Sequence, residues 1–111
     1  MTISTHVLDT SIGRPAAAIT VHLQRQNGNA WVHVSSGSTD RDGRVSALLP
    51  PNSPPGAGGY RLTFEVGDYF EARGVESFYS KITIDFLARD ASHYHVPLLL
   101  SPYGYSTYRG S

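Results

Sequence analysis

The stretch Tyr94-His95-Val96-Pro97-Leu98-Leu99-Leu100-Ser101-Pro102-Tyr103-Gly104-Tyr105-Ser106-Thr107-Tyr108-Arg109-Gly110-Ser111 reads as a β-hairpin and decides the fold class. Side chains of a strand change face at every residue. In the outgoing half Tyr94, Val96, Leu98 and Leu100 therefore make a plain core face, while His93, His95, Pro97 and Leu99 make the other. A purely structural strand would fill that second face with Val or Ile, not with two imidazoles two residues apart. Ser101-Pro102-Tyr103-Gly104 is a polar turn that sends the chain back. On the return, Tyr103, Tyr105, Thr107 and Arg109 share one face, and Gly104, Ser106, Tyr108 and Gly110 share the other. Chain ends usually fray, yet this sequence closes on Tyr-Arg-Gly-Ser with no polar tail, and the expectation is that the terminal carboxylate itself is placed.

The 111 residues are read as a single domain, 1–111. A chain of this size buries roughly two thirds of its unfolded surface without disulfides, and with no Cys it has none to form. Absence of Cys also removes thiol nucleophiles and zinc-thiolate sites, so any catalysis falls to His, Arg, Asp, Glu, Ser or Tyr. Nine basic and nine acidic residues give a formal net charge of zero and no basic stripe, so neither nucleic acid nor an anionic membrane surface is an expected partner. All the basic residues except Lys81 are Arg. Val96 to Leu100 is the longest apolar run, far short of the ~20 residues of a membrane span. Met1-Thr2-Ile3-Ser4-Thr5-His6 has neither the basic nor the apolar region of a signal peptide, and the expected compartment is the cytoplasm.

Along the chain, His6 and Leu8 oppose Val7 in a short first strand over Thr5-His6-Val7-Leu8-Asp9, closed by a turn through Ser11–Pro15. Ile19, Val21 and Leu23 alternate with Thr20, His22 and Gln24. Asn27-Gly28-Asn29 then turns into Trp31-Val32-His33-Val34, a hairpin signal. His22 and His33 each lie opposite a core face and read as solvent-facing strand residues. After the polar Ser35–Gly43, a strand is expected over Arg44–Leu49. Pro50 to Gly59 reads as an exposed loop, since Pro removes donors and Gly removes restraint. Tyr60, Leu62, Phe64 and Val66 against Arg61, Thr63 and Glu65 form the cleanest alternation in the chain. A short helix is expected around 68–73, with Asp68 as cap and Gly74 at its end. Ile82, Ile84 and Phe86 give the next strand. About eight strands with turns between them and one small helix predict an all-β antiparallel sandwich.

An imidazole with an ordinary pKa of ~6.5 is the best general base near neutral pH, which singles out His6 and His95 on otherwise apolar or small strand faces. Arg44 opens a strand just after Asp42-Gly43, where its long side chain can reach across a cavity mouth. His93 and His95 also have the spacing of a metal-binding pair on a strand, but the sequence places no third ligand, and neither metal nor cofactor is expected. No Gly-x-Ser-x-Gly occurs, so a nucleophile elbow is excluded.

Several separated blocks agree, in order, with one family. Thr5-His6-Val7-Leu8-Asp9-Thr10 with Gly13-Arg14-Pro15-Ala16, Asp42-Gly43-Arg44, Tyr60-Arg61-Leu62-Thr63-Phe64-Glu65 and Tyr94 through Ser111 resemble the transthyretin-related 5-hydroxyisourate hydrolases. The ending Tyr108-Arg109-Gly110-Ser111 resembles the tetrapeptide that separates those enzymes from the thyroid-hormone carriers of the same superfamily. The resemblance implies a transthyretin-like sandwich assembled as a homotetramer, a dimer of dimers, with sites in a channel between dimers. It implies hydrolysis of 5-hydroxyisourate, a urate-degradation intermediate, to the carboxylated ureidoimidazoline. The implied catalytic residues are His6, Arg44, His95 and Ser111. The same residues with Tyr108 and Arg109 would hold the substrate, and which His is the base stays open. Two departures from the family pattern, Asp40 for the common Asn and Ser80 for the usual Pro, are expected to lie outside the site. The alternative reading is a non-enzymatic small-ligand carrier that uses the same channel.

Overall fold

The expected alternations become nine strands and one helix over the residues that the computed structural model describes, 1–52 and 56–111. They are β1 (Thr2–Asp9), β2 (Arg14–Pro15), β3 (Thr20–Asn27), β4 (Ala30–Ser38), β5 (Arg44–Val45), β6 (Gly58–Phe64), α1 (Val66–Ala72), β7 (Ile82–Ala88), β8 (His93–Ser101) and β9 (Gly104–Thr107). One sheet runs β2-β1-β8-β9, with β5 also on β1, and the other runs β4-β3-β6-β7. Two sheets each apolar on one face bury those faces against each other. Ile3, Val7, Tyr94, Val96, Leu98 and Leu100 of the first sheet meet Val21, Leu23, Tyr60, Leu62, Phe64 and Ile82 of the second.

The sandwich is not wholly antiparallel. β1 and β8 run parallel, in register from Thr2↔His93 to Asp9↔Leu100, and all other strand pairs described are antiparallel. Period-two patterning assigns faces and says nothing of the direction of the neighbour, which is why the expectation failed here. Several boundaries also differ: β1 begins at Thr2 rather than Thr5, β7 runs on to Ala88, and the returning strand β9 ends at Thr107. Arg14–Pro15, expected as turn, forms the two-residue β2. β4 continues through Ser35–Ser38, because its Ser-rich end pairs with Thr20–Leu23 on an edge where one side of the strand faces water. β5 stops at Val45 rather than Leu49. β6 takes in Gly58 and Gly59 from the expected loop, whose residues 53–55 lie outside the described set.

The helix begins at Val66, two residues before the expected start, and Asp68 lies in its first turn rather than capping it. Val66 and Phe70 face the core, and this burial draws the start back towards β6. Its end is as expected. The N–H of Gly74 bonds the carbonyl of Glu71, and that of Val75 bonds Phe70, a Schellman closure.

Asp9, at the end of β1, is 1% exposed and joins the helix to the first sheet. The Tyr69 hydroxyl donates to its Oδ2 at 2.8 Å, while Ser11 N–H donates to Oδ1 at 3.0 Å. Burial, and then this bond to Asp9, push the Tyr69 pKa up to about 12. The folded state thus keeps a proton that the unfolded chain releases at its ordinary 10.0. The pair's contribution is complete below that value and is lost as pH rises towards the folded one. Tyr69→Phe is expected to cost roughly 1.5–3 kcal/mol near neutral pH and to flatten the alkaline loss of stability. Denaturant titrations across the alkaline range would show both, and an unchanged midpoint and profile would refute the role given to this bond.

Candidate active site

The site is built on the face of the first sheet that points away from the core. Directly paired residues share a face, so the registers Ser4↔His95 and His6↔Pro97 between β1 and β8, and His6↔Arg44 between β1 and β5, gather His6, Arg44 and His95. These are three of the four expected catalytic residues. Both imidazoles are half-buried and Arg44 is exposed, so the site is an open face and not a closed cavity.

A tight turn aims Arg44. Asp40 Oδ1 accepts the backbone N–H groups of Asp42 and Arg44, each at 2.9 Å, and the Asp40 carbonyl accepts from Gly43 N–H at 2.9 Å. The Arg44 N–H is the largest cause holding the Asp40 carboxyl below the usual carboxylate range, opposed by some desolvation and helped by Asp42 and by the charge of Arg44. Gly43 has φ +77°, and a Cβ there would overlap the Val7 carbonyl oxygen. Only glycine suits both demands. Its own carbonyl accepts from Val7 N–H at 2.8 Å, which ties the turn to β1. Asp40, expected outside the site, therefore supports it directly. Ser80, the other departure, accepts Gly67 N–H on its carbonyl at 2.9 Å beside the helix, remote from the imidazoles.

The C-terminal segment closes over His95. Gly110 forms a bridge with His95, donating its N–H to the His95 carbonyl at 2.8 Å. A Cβ at Gly110 would stand 2.5 Å from His95 Cδ2 and 3.1 Å from Pro97 Cγ, so the backbone lies flat on the imidazole. Continuing the β8–β9 register puts Tyr108 opposite Pro97, on the site face, where it is 58% exposed. Ser111 follows, exposed, at the rim.

The same register puts Arg109 opposite Val96, on the other face. Its guanidinium lies 4.6 Å from the Tyr94 ring centre, and the Tyr94 hydroxyl donates to Asp90 Oδ1 at 2.6 Å. Hydrogen bonds from Ser92 and then Tyr94 bring the Asp90 carboxyl down to about 2, with a smaller effect from Arg109. The Arg109 guanidinium thus lies against the ring at the start of β8, and the residue lines a pocket together with His95 and Tyr108.

His95 is electrically distinctive. Burial first, then His6, His93 and Arg44, hold its pKa below the ordinary imidazole value, which keeps the ring neutral. Its Nδ1 lies 2.8 Å from Ser4 Oγ. Sequence reading missed Ser4, whose only signal was a small polar residue two positions before His6. Among the described residues, no three His, Cys, Asp or Glu side chains gather as a metal site. A groove of about 800 Å³ lies elsewhere, between α1 and the segment 74–81, with Glu65, Asp68, Glu71 and Glu76 among its walls.

A two-sheet sandwich with imidazoles and a guanidinium on its open face defines the class. The family model described as HIUase/Transthyretin family matches residues 3–110, and the chain belongs to that family. It is 44% identical over 110 residues to the 5-hydroxyisourate hydrolase of Salmonella dublin, covering 98% of this chain and 80% of that one. The solved structure of Klebsiella pneumoniae 5-hydroxyisourate hydrolase matches with a TM-score of 0.87 at 40% identity, covering 100% of both chains. Transthyretin from Sparus aurata matches with a TM-score of 0.90 at 28% identity, covering 98% of this chain and 96% of that one.

Gly110→Ala is expected to leave the fold intact while driving the His95 ring from its place or lifting the C-terminal segment. A displacement of about 1 Å at a reacting group can cost on the order of a hundredfold in rate, so the variant should be nearly inactive with an unchanged melting temperature. An active variant with an undisturbed His95 would mean that the close backbone approach is incidental.

Proposed function

We propose that this chain is a 5-hydroxyisourate hydrolase acting in urate degradation. The observation that carries the reading is the meeting of His6, Arg44 and His95 on one sheet face, with Gly110 laid against His95. Fold likeness alone does not separate the enzyme from the carrier, since the hydrolase and the transthyretin score 0.87 and 0.90. The chemistry of the face does: a carrier for an apolar ligand has no use for a guanidinium and two imidazoles in its channel, whereas hydrolysis of a ring amide needs them.

Water attacks a ring carbonyl of the substrate. One imidazole takes a proton from that water, and the other orients it or protonates the departing ring nitrogen. Positioned acid–base catalysis contributes about 10²–10⁴-fold. Arg44 binds the substrate and stabilises charge developing on the carbonyl oxygen, a role worth about 3 kcal/mol for a well-placed donor. Tyr108 and Ser111 shape the rim. The carbonyl carbon–nitrogen bond breaks, one proton of water goes to nitrogen, and the other is released as the carboxylate forms.

The proposal includes a homotetramer. β7 and β9 are terminal strands of their sheets on the same side of the sandwich, and unpaired edges invite pairing with another chain. Leu87 and Tyr105 on these strands are 57% and 43% exposed, and Phe78 beside them is 73% exposed. The open His6–Arg44–His95 face would gain its opposite wall from a further pair of subunits.

The deciding experiment is the ultraviolet decay of 5-hydroxyisourate, freshly generated from urate by urate oxidase, with and without the untagged protein. Acceleration is expected, falling roughly a hundredfold or more in His6→Ala, Arg44→Ala and His95→Ala. Near-normal turnover in any of these removes that residue from the scheme. No acceleration by a protein that sediments as a well-folded tetramer would favour the small-ligand carrier, and a monomer would overturn the assembly.

A further inference from the structure

The atoms around His95 Nδ1 go further than the triad. Ser4 Oγ lies 2.8 Å from His95 Nδ1 and 3.4 Å from His93 Nε2, and His93 Nδ1 meets Thr2 Oγ1. The parallel β1–β8 register makes this chain, pairing Thr2 with His93 and Ser4 with His95. The two rings are stacked, 6.3 Å apart at 13°. His93 is exposed, whereas Ser4 is 7% exposed. Nδ1 of His95 is thus occupied, and Nε2 bonds none of the described residues, so Nε2 is the atom left for substrate or water.

A neutral imidazole carries one proton, and the partner of one nitrogen decides which nitrogen is bare. We infer that Ser4 and His93 are positioning residues that fix His95 as the Nδ1–H tautomer, bare at Nε2, and so make His95 the general base. Nδ1–H donates to Ser4 Oγ, the Ser4 hydroxyl donates to His93 Nε2, and His93 Nδ1–H donates to Thr2 Oγ1, whose own proton faces water. Every donor in the row has an acceptor. The opposite direction would also satisfy the row, but it would place N–H at Nε2 on the face that holds Arg44. A fixed cation there favours a lone pair over a second positive hydrogen.

The charged and titratable groups facing His95 agree with this. They are His6 from β1, Arg44 from β5 and His93 from β8 itself, all of which disfavour a positive charge on His95; the Ser111 carboxylate follows Gly110 at the rim, and Arg109 of the terminal segment lies on the opposite face. With burial and these three neighbours disfavouring an imidazolium, the ring of the resting enzyme waits neutral. During reaction Nε2 takes one proton from the attacking water while Nδ1–H stays bonded to Ser4. The cation so formed exists only after attack begins, and it returns its proton as the ring nitrogen departs. His6, beside Arg44 and without this row of hydroxyls, orients the water and the departing nitrogen.

This inference rests on the hydrolase reading for its consequence and not for its test. Long-range proton–nitrogen correlation spectra of ¹⁵N-labelled protein report each histidine's tautomer without substrate. His95 is expected as Nδ1–H with a bare Nε2, and this preference should vanish in Ser4→Ala, which keeps the small buried volume. In the decay assay Ser4→Ala should lower kcat roughly 10- to 100-fold with little change in KM, and Ser4→Thr should restore it. The acid limb of kcat/KM should lie below the ordinary imidazole value. A wild-type His95 protonated at Nε2, or Ser4→Ala with unaltered tautomer and kcat, overturns the inference. Wild-type protein with the expected tautomer but no hydrolysis would instead sink the proposed function.

Discussion

The parallel pairing of β1 with β8 is the constraint on which the rest of the molecule depends. It runs for eight residues between segments separated by almost the whole chain, so neither strand can settle until the intervening residues have folded back. Such non-local pairing carries a closure cost that a core must offset. The offset is visible in the register: Ile3↔Tyr94, Thr5↔Val96, Val7↔Leu98 and Asp9↔Leu100 all point inwards, each 6% exposed or less. A slip of either strand by one residue would turn its half of these pairs outwards and bring Ser4 and His6, or His93 and His95, into the core. Core and site therefore specify the same register from opposite faces of the same two strands.

The site gains its precision from that rigidity. His6 and His95 sit on long paired strands, and only Arg44 comes from a short one. The Asp40–Arg44 turn makes up the difference with two N–H bonds to the Asp40 carboxylate, a third to the Asp40 carbonyl and a fourth from β1 to Gly43. Gly110 performs the equivalent task at the C-terminal end, where its N–H and its lack of a side chain let the last residues lie against an imidazole. Functional side chains on strands, pinned by turns with no freedom of their own, hold geometry better than chemistry carried on mobile loops.

How much of this was legible in the sequence depended on the type of pattern. Faces could be read, because alternation with period two is local: His6 with Leu8, His95 with Pro97, and the buried set of β6 all fall where alternation puts them. Partners could not. Nothing in His93–Ser101 announces a parallel neighbour, and without that neighbour Ser4 looks like filler instead of the residue opposite His95. Arg109 shows how a motif and an alternation can point in different directions. The alternation separates it from Tyr108, yet reading Tyr108-Arg109-Gly110-Ser111 as one motif grouped them, and the structure sends its guanidinium to Tyr94. Asp40 looked peripheral because its carboxylate serves backbone N–H groups of the turn, and a backbone partner leaves no trace in the residue types around it.

The second sheet offers a control on what makes an imidazole chemically useful here. His22, like His95, lies on the outward face of a paired strand with a serine across from it, Ser36 Oγ at 2.7 Å from Nδ1. Its other nitrogen, however, lies 3.6 Å from the Glu65 carboxylate, which also pairs with Lys81. Both nitrogens therefore face a polar neighbour, a hydroxyl on one side and a carboxylate on the other. At His95 the serine is the same, but the carboxylate is replaced by Arg44 and a second imidazole, and Nε2 is left without a protein partner. Residue type and strand position are shared by the two sites; the sign of the neighbouring charge is not. That sign, set by which strands the fold brings beside each histidine, gives one a carboxylate neighbour on the surface and leaves the other with a bare nitrogen.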